Sequence, residues 1–130
     1  MQVRPYTECN HAAIVEWWES HDVAPIPHGA LPKEGCIACN DDDDMVAACW
    51  VYLDNSTPVA FMSWMVVAPH ARARDKFSGL THCVQYLTQR CNKLGYGTII
   101  TCPSISSVTK LMKSHGFNLV STGADVLLKG

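Results

Sequence analysis

Arg72, Arg74 and Lys76 alternate through the short loop His70-Ala71-Arg72-Ala73-Arg74-Asp75-Lys76. Three cations so closely spaced suit an anion, and the flanking residues say which kind. The loop follows an apolar run, Val59-Ala60-Phe61-Met62-Ser63-Trp64-Met65-Val66-Val67-Ala68, closed by Pro69. After the loop, Phe77, Leu80, Val84, Leu87, Cys91 and Leu94 recur at spacings of three and four. This pattern predicts a buried strand, a cationic turn and an amphipathic helix. A helix start exposes unpaired N–H groups and a partial positive charge, so the predicted ligand carries phosphate. His28, in the Pro-rich segment from Asp22 to Lys33, is a second residue with chemical potential. An imidazole of ordinary pKa, about 6.5, takes a proton near neutrality; a solvated loop histidine is the plain alternative. Asp41 to Asp44 reads as a solvated acidic turn, with attraction of a cationic substrate as its alternative.

Seven cysteines, Cys9, Cys36, Cys39, Cys49, Cys83, Cys91 and Cys102, sit mostly in apolar segments. Cys36-Ile37-Ala38-Cys39 has redox-like spacing, but no second pair follows at zinc-ribbon distance. In a strand its two thiols point to opposite faces, so buried, reduced cysteines and no metal site are expected.

These residues must be positioned by a chain of 130 residues, long enough for one domain, 1–130, with its own core. Hydrophobic residues at 48% and charged residues at 17% fit a globule, and a net charge of -2 argues against a general nucleic-acid binder. No apolar run reaches the roughly 18–20 residues of a membrane span, and Met1-Gln2-Val3-Arg4-Pro5 lacks a signal-peptide core. A cytoplasmic protein is the expectation.

Val3 to Tyr6 reads as a strand and Glu8 to Ser20 as a helix capped by Thr7, with Ile14, Val15 and Trp18 inward and Trp17 elsewhere. Pro25, Pro27, Gly29 and Pro32 make Asp22–Lys33 a structured loop. Gly35–Asn40, Met45–Leu53 and the run from Val59 follow as strands joined by short turns. Gly95 and Gly97 end the long helix; Thr98–Cys102 is a strand; Ile105, Val108, Leu111 and Met112 mark a helix stopped at Gly116; Phe117–Leu128 is the last strand region. The order β-α-β-β-β-α-β-α-β gives an α/β fold, an α+β mixed sheet with helices on both faces.

That order, with Val66-Val67-Ala68-Pro69, the basic turn and the long helix, resembles the GNAT superfamily of N-acetyltransferases. Leu111-Met112-Lys113-Ser114-His115-Gly116-Phe117 is similar to the closing-helix motif LYEKxGF. Glu16-Trp17-Trp18, Leu31-Pro32 with Gly35, and Ser63-Trp64-Met65-Val66 resemble a group of small phage-encoded GNAT-like proteins.

The resemblance implies a mostly antiparallel sheet splayed between strands 4 and 5, acetyl-CoA as acyl donor, and a small-molecule or peptide primary amine as acceptor. The pantetheine arm would lie along Met65, Val66 and Val67. The pyrophosphate would lie at Arg72, Arg74, Lys76, Phe77, Ser78 and Gly79. The family's Q/R-x-x-G-x-G/A loop fits in two registers. Starting at Arg72 puts Asp75 and Phe77 at the small positions; starting at Arg74, the preferred register, puts Phe77 and Gly79 there. Ser63 matches the position of the usual glutamate base, and Met112 that of the usual tyrosine acid. Both replacements weaken the standard mechanism; a histidine could substitute as base, with His28 bordering the implied acceptor site, His70 flanking the phosphate turn and His115 at a helix end, where it suits the helix dipole. Ser104 or Ser106 stands where an asparagine often follows strand 5. The implied activity is N-acetyl transfer by a monomer or homodimer; the alternative is an inactive GNAT-like CoA-binding or interaction protein.

Overall fold

The computed structural model describes residues 1–103, 105–122, 127 and 129. Five strands, β1 (Gln2–Pro5), β2 (Glu34–Cys39), β3 (Met45–Leu53), β4 (Val59–Val67) and β5 (Thr98–Thr101), form one sheet in that order. The first four pair antiparallel because short turns join β2, β3 and β4, and β5 returns parallel to β4 through a helical crossover. The helices are α1 (His11–Ser20), α2 (Ala73–Lys93) and α3 (Ser106–Ser114). The mixed, mostly antiparallel sheet is the one expected.

Alternation along β2 divides the core. Cys36 and Ala38 join the cluster under α2 and α3, with Leu80, Cys83, Val84, Leu87, Leu111 and Met112. Ile37 and Cys39 join the opposite cluster, with Ile14, Trp17, Trp18, Trp50 and Val66. The CxxC is therefore split between two faces, both thiols free and buried. No group of described residues is arranged to hold a metal.

Four local expectations change. Trp17 is buried beside Trp18, because the segment after α1 folds back over the helix. There Val23 N–H donates to the Trp18 carbonyl, and Ile26 is buried in the same cluster. Phe77 is 62% exposed on the flank of the α2 stripe, and buried Gly79 takes the sheet-facing position instead. A Cβ on Gly79 would come 2.8 Å from Val46 Cγ2, so glycine lets α2 approach β3 closely. The first turn after Thr7 is a 3-10 turn, Glu8–Asn10, and regular helix begins only at His11. In the expected last strand, residues 117–122 carry no strand; 123–126 and 128 lie outside the described residues.

A candidate functional site at the end of β4

β4 carries an irregularity that sequence periodicity did not show. Ala48 pairs with Val66, and Trp50 pairs with Ser63, so Cys49 alone opposes Trp64 and Met65. This is a β-bulge. Trp64 holds φ at 61°, in the left-handed region that costs a bulky residue roughly 1–3 kcal/mol. Its indole N–H donates to the Tyr52 hydroxyl at 2.8 Å, and that hydroxyl donates to the Ala30 carbonyl at 2.8 Å. Cross-strand and loop contacts thus hold the strained residue.

At the same level β4 loses its neighbour. Its parallel pairing with β5 runs from Val59–Thr98 to Met62–Thr101 and stops. Thr101 Oγ1 closes the ladder by donating to the Met62 carbonyl at 3.0 Å, and Pro103 has no N–H to continue it. Ser63 to Val67 run on without a β5 partner, which is the expected splay. Met65, Val66 and Val67 lie along it; Val66 is buried, and Met65 and Val67 are half-buried. The Val67 carbonyl accepts from His21 Nε2 at 3.1 Å, so the end of α1 already engages one backbone group there.

The chain then turns into α2. Arg72 is the N-cap with φ -63° and ψ 147°, and Lys76 N–H closes the first turn on the Arg72 carbonyl at 3.0 Å. The N–H groups of Ala73, Arg74 and Asp75 precede any possible i−4 partner in the helix, leaving donors at its positive end. Arg72 and Arg74 are exposed, whereas Lys76 Nζ folds back to the Pro69 carbonyl at 3.0 Å. Phe77, Ser78 and Gly79 lie beyond the first turn, where N–H groups enter the helical ladder.

A cleft of about 250 Å³ opens here, lined by His70, Arg72, Arg74 and Asp75 on one side and by Asn40, Asp41, Asp42 and Asp44 on the other. Asn40 Oδ1 accepts from the N–H groups of Asp42 and Asp44 at 3.0 Å each, shaping the acidic turn. Arg4 pairs with Asp43, and the Met1 amine with Asp41 at 3.2 Å. The cleft therefore mixes cations with carboxylates, and Arg74 already pairs loosely with Asp75 at 3.8 Å.

On the α1 face, Tyr6 OH lies 2.8 Å from His28 Nδ1. Tyr6 stacks edge-on against Trp50, with ring centroids 5.1 Å apart, and Trp50 is the cross-strand partner of Ser63. Burial, then the nearby Glu8 and Cys9, raises the Tyr6 pKa, so the phenol stays neutral. For His28 Nε2 to accept a proton, Nδ1 must carry hydrogen and donate to the Tyr6 oxygen. Ser63 is half-buried, and Met112 is buried in the core under α3. The N-cap of α3 is Ile105, with Ser106 the first helical residue; Ser104 lies outside the described residues. Tyr6, Tyr52 and His21 are contributors the sequence did not mark, since nothing in their local spacing reveals partners 22 to 46 residues away.

No protein-family model and no curated relative matches this sequence. Solved structures do resemble it. A phosphinothricin acetyltransferase of the GNAT superfamily from Sinorhizobium meliloti, solved with acetyl-CoA, superposes with TM-score 0.72 at 14% identity, over 92% of this chain and 76% of that one. The ribosomal-protein-S18-alanine N-acetyltransferase of Escherichia coli gives 0.72 at 14%, over 92% and 79%. A Trypanosoma brucei acetyltransferase gives 0.69 at 14%, over 98% and 99%. Identities this low carry the fold and not the activity. The fold is that of the GNAT acetyltransferases.

Proposed function

We propose that the protein is an acetyl-CoA-dependent N-acetyltransferase acting on a primary amine, of a small molecule or a peptide. The observation that carries the reading is the continuity of three features on one stretch of chain: the Trp64 bulge, the unpaired half of β4, and the start of α2. Bound acetyl-CoA would supply the activated acetyl group as a thioester. Met65, Val66 and Val67 offer backbone to hold its arm, and the Ala73–Asp75 amides with Arg72 and Arg74 offer donors for its pyrophosphate. A backbone N–H on the half of β4 that β5 leaves unpaired can polarise a carbonyl placed beside Trp64. His28 Nε2 can take the proton an attacking amine gives up, directly or through water, with Tyr6 fixing the ring. Ser63 has too little basicity to do so and serves as a hydrogen-bonding group on the same face.

The test is to incubate the protein with acetyl-CoA and a panel of small amines and N-terminal peptides, and read the acetylated amine by mass. Product above the protein-free rate supports the reading. No product from any amine, together with no acetyl-CoA binding, overturns it.

A further inference from the structure

Among the described residues, three side chains hold the segment from Asp22 to Lys33. His11 Nε2 donates to the Ile26 carbonyl at 2.8 Å, Tyr6 meets His28 at 2.8 Å, and Tyr52 holds the Ala30 carbonyl at 2.8 Å. The first two ties come from α1 and from the chain just before it. Tyr52 alone among the three belongs to the sheet, and its oxygen also accepts the Trp64 indole N–H at 2.8 Å. One hydroxyl, donor on one side and acceptor on the other, thus spans from the loop bearing His28 to the strained residue of the bulge.

We propose that Tyr52 is a positioning residue, and that its hydroxyl sets the loop carrying His28 and the β4 bulge in register with one another. The inference rests on the acyltransferase reading for its purpose, since the loop would face the acceptor amine and the bulge the acyl carbonyl. Its physical content stands apart. A left-handed tryptophan returns to ordinary backbone unless its surroundings over-determine it, and the Tyr52 bond is the polar part of that restraint. Neither end carries charge, so the latch is insensitive to salt.

Amide hydrogen exchange on Tyr52→Phe tests it. Loss of the hydroxyl should speed exchange about fivefold at both residues 26–33 and residues 63–65, leaving the α2 core at wild-type rates. Trp64→Phe keeps Tyr52 but removes its donor, and should also loosen residues 26–33, to which the Trp64 indole makes no hydrogen bond among the described residues. Thr101→Val, which removes a comparable bond at the β4–β5 junction, should leave residues 26–33 unchanged. Uniform acceleration across the chain, or loosening at only one end of the latch, overturns the proposal. In turnover, Tyr52→Phe should raise KM for the amine several-fold and leave acetyl-CoA affinity unchanged. A wild-type protein that neither binds nor turns over acetyl-CoA would remove the purpose while leaving the exchange result to decide the latch.

Discussion

Arg74 and His28 sit on opposite sides of the sheet end and predict separable defects. Arg74 stands in the first turn of α2 with its guanidinium largely in solvent, loosely paired with Asp75. Arg74→Glu reverses a charge at the anion end and should weaken CoA binding at least about tenfold, by the worth of one charged hydrogen bond. His28→Ala should leave that affinity within about twofold and lower turnover by about a hundredfold. Equal effects on binding would count against this placement, and titration calorimetry on both variants decides it. The thiols are a second residue-scale case. The Cys36 thiol is pushed up by its hydrogen bond to Cys83 and then by burial, and Cys49 is pushed up chiefly by burial. Only the thiolate reacts, so alkylation of the native protein should mark the exposed Cys9 and Cys102 and spare Cys36 and Cys49. The same shifts fix the sign of a pH effect. Both states hold their thiol protons below about pH 8.5, so stability is undiminished there. Above it the unfolded chain releases protons that the folded chain retains, and stability falls as pH rises. Urea midpoints in reductant at neutral pH and at about pH 9.5 check this; an unchanged midpoint contradicts it.

At the scale of elements, β3 matched its expected bounds, Met45–Leu53, because polar turn residues mark both ends of a Val, Ala, Trp and Tyr segment. The bulge in β4 escaped notice because Ser63-Trp64-Met65 contains no glycine, proline or asparagine to announce it. Its apolar side chains suit either face, so a shift in alternation leaves no polar misfit to read. Trp17 escaped because helical periodicity describes one buried face, and the returning loop supplies another cover. The loop proposed to hold pyrophosphate is legible in the sequence, while its register stays open between Arg72 and Arg74. The helix begins at Ala73, which puts Arg74 inside the first turn and Gly79 against the sheet. A sharper element-level prediction lies at Gly35 in β2. A Cβ there would come 2.2 Å from Cδ1 of Trp50, whose side chain is fully buried between Tyr6 and Trp18. Gly35→Ala should therefore destabilise by about 1–3 kcal/mol, the usual range for overpacking. Denaturant unfolding measures it, and a neutral result would mean that Trp50 can shift freely.

For the whole molecule, the order of elements and the mixed sheet were legible because periodicity and turn chemistry agree along most of the chain. The gap between β4 and β5 is a property of assembled strands, and the sequence supplied it only through resemblance. The acidic turn facing Arg72 and Arg74 belongs to the same category, since β3 and β4 separate the two walls of the cleft along the chain. That wall bears on ligand binding, because carboxylates oppose an anion that the helix start attracts. In the proposed function, donors at the start of α2 and the unpaired half of β4 together bind acetyl-CoA. Thermal unfolding of the full chain with increasing acetyl-CoA tests it most directly, because a ligand of the folded state raises Tm by mass action. Tm should rise by several degrees and keep climbing with the logarithm of acetyl-CoA concentration, and Arg74→Glu should need at least about tenfold more ligand for the same rise; no rise at millimolar acetyl-CoA would contradict it.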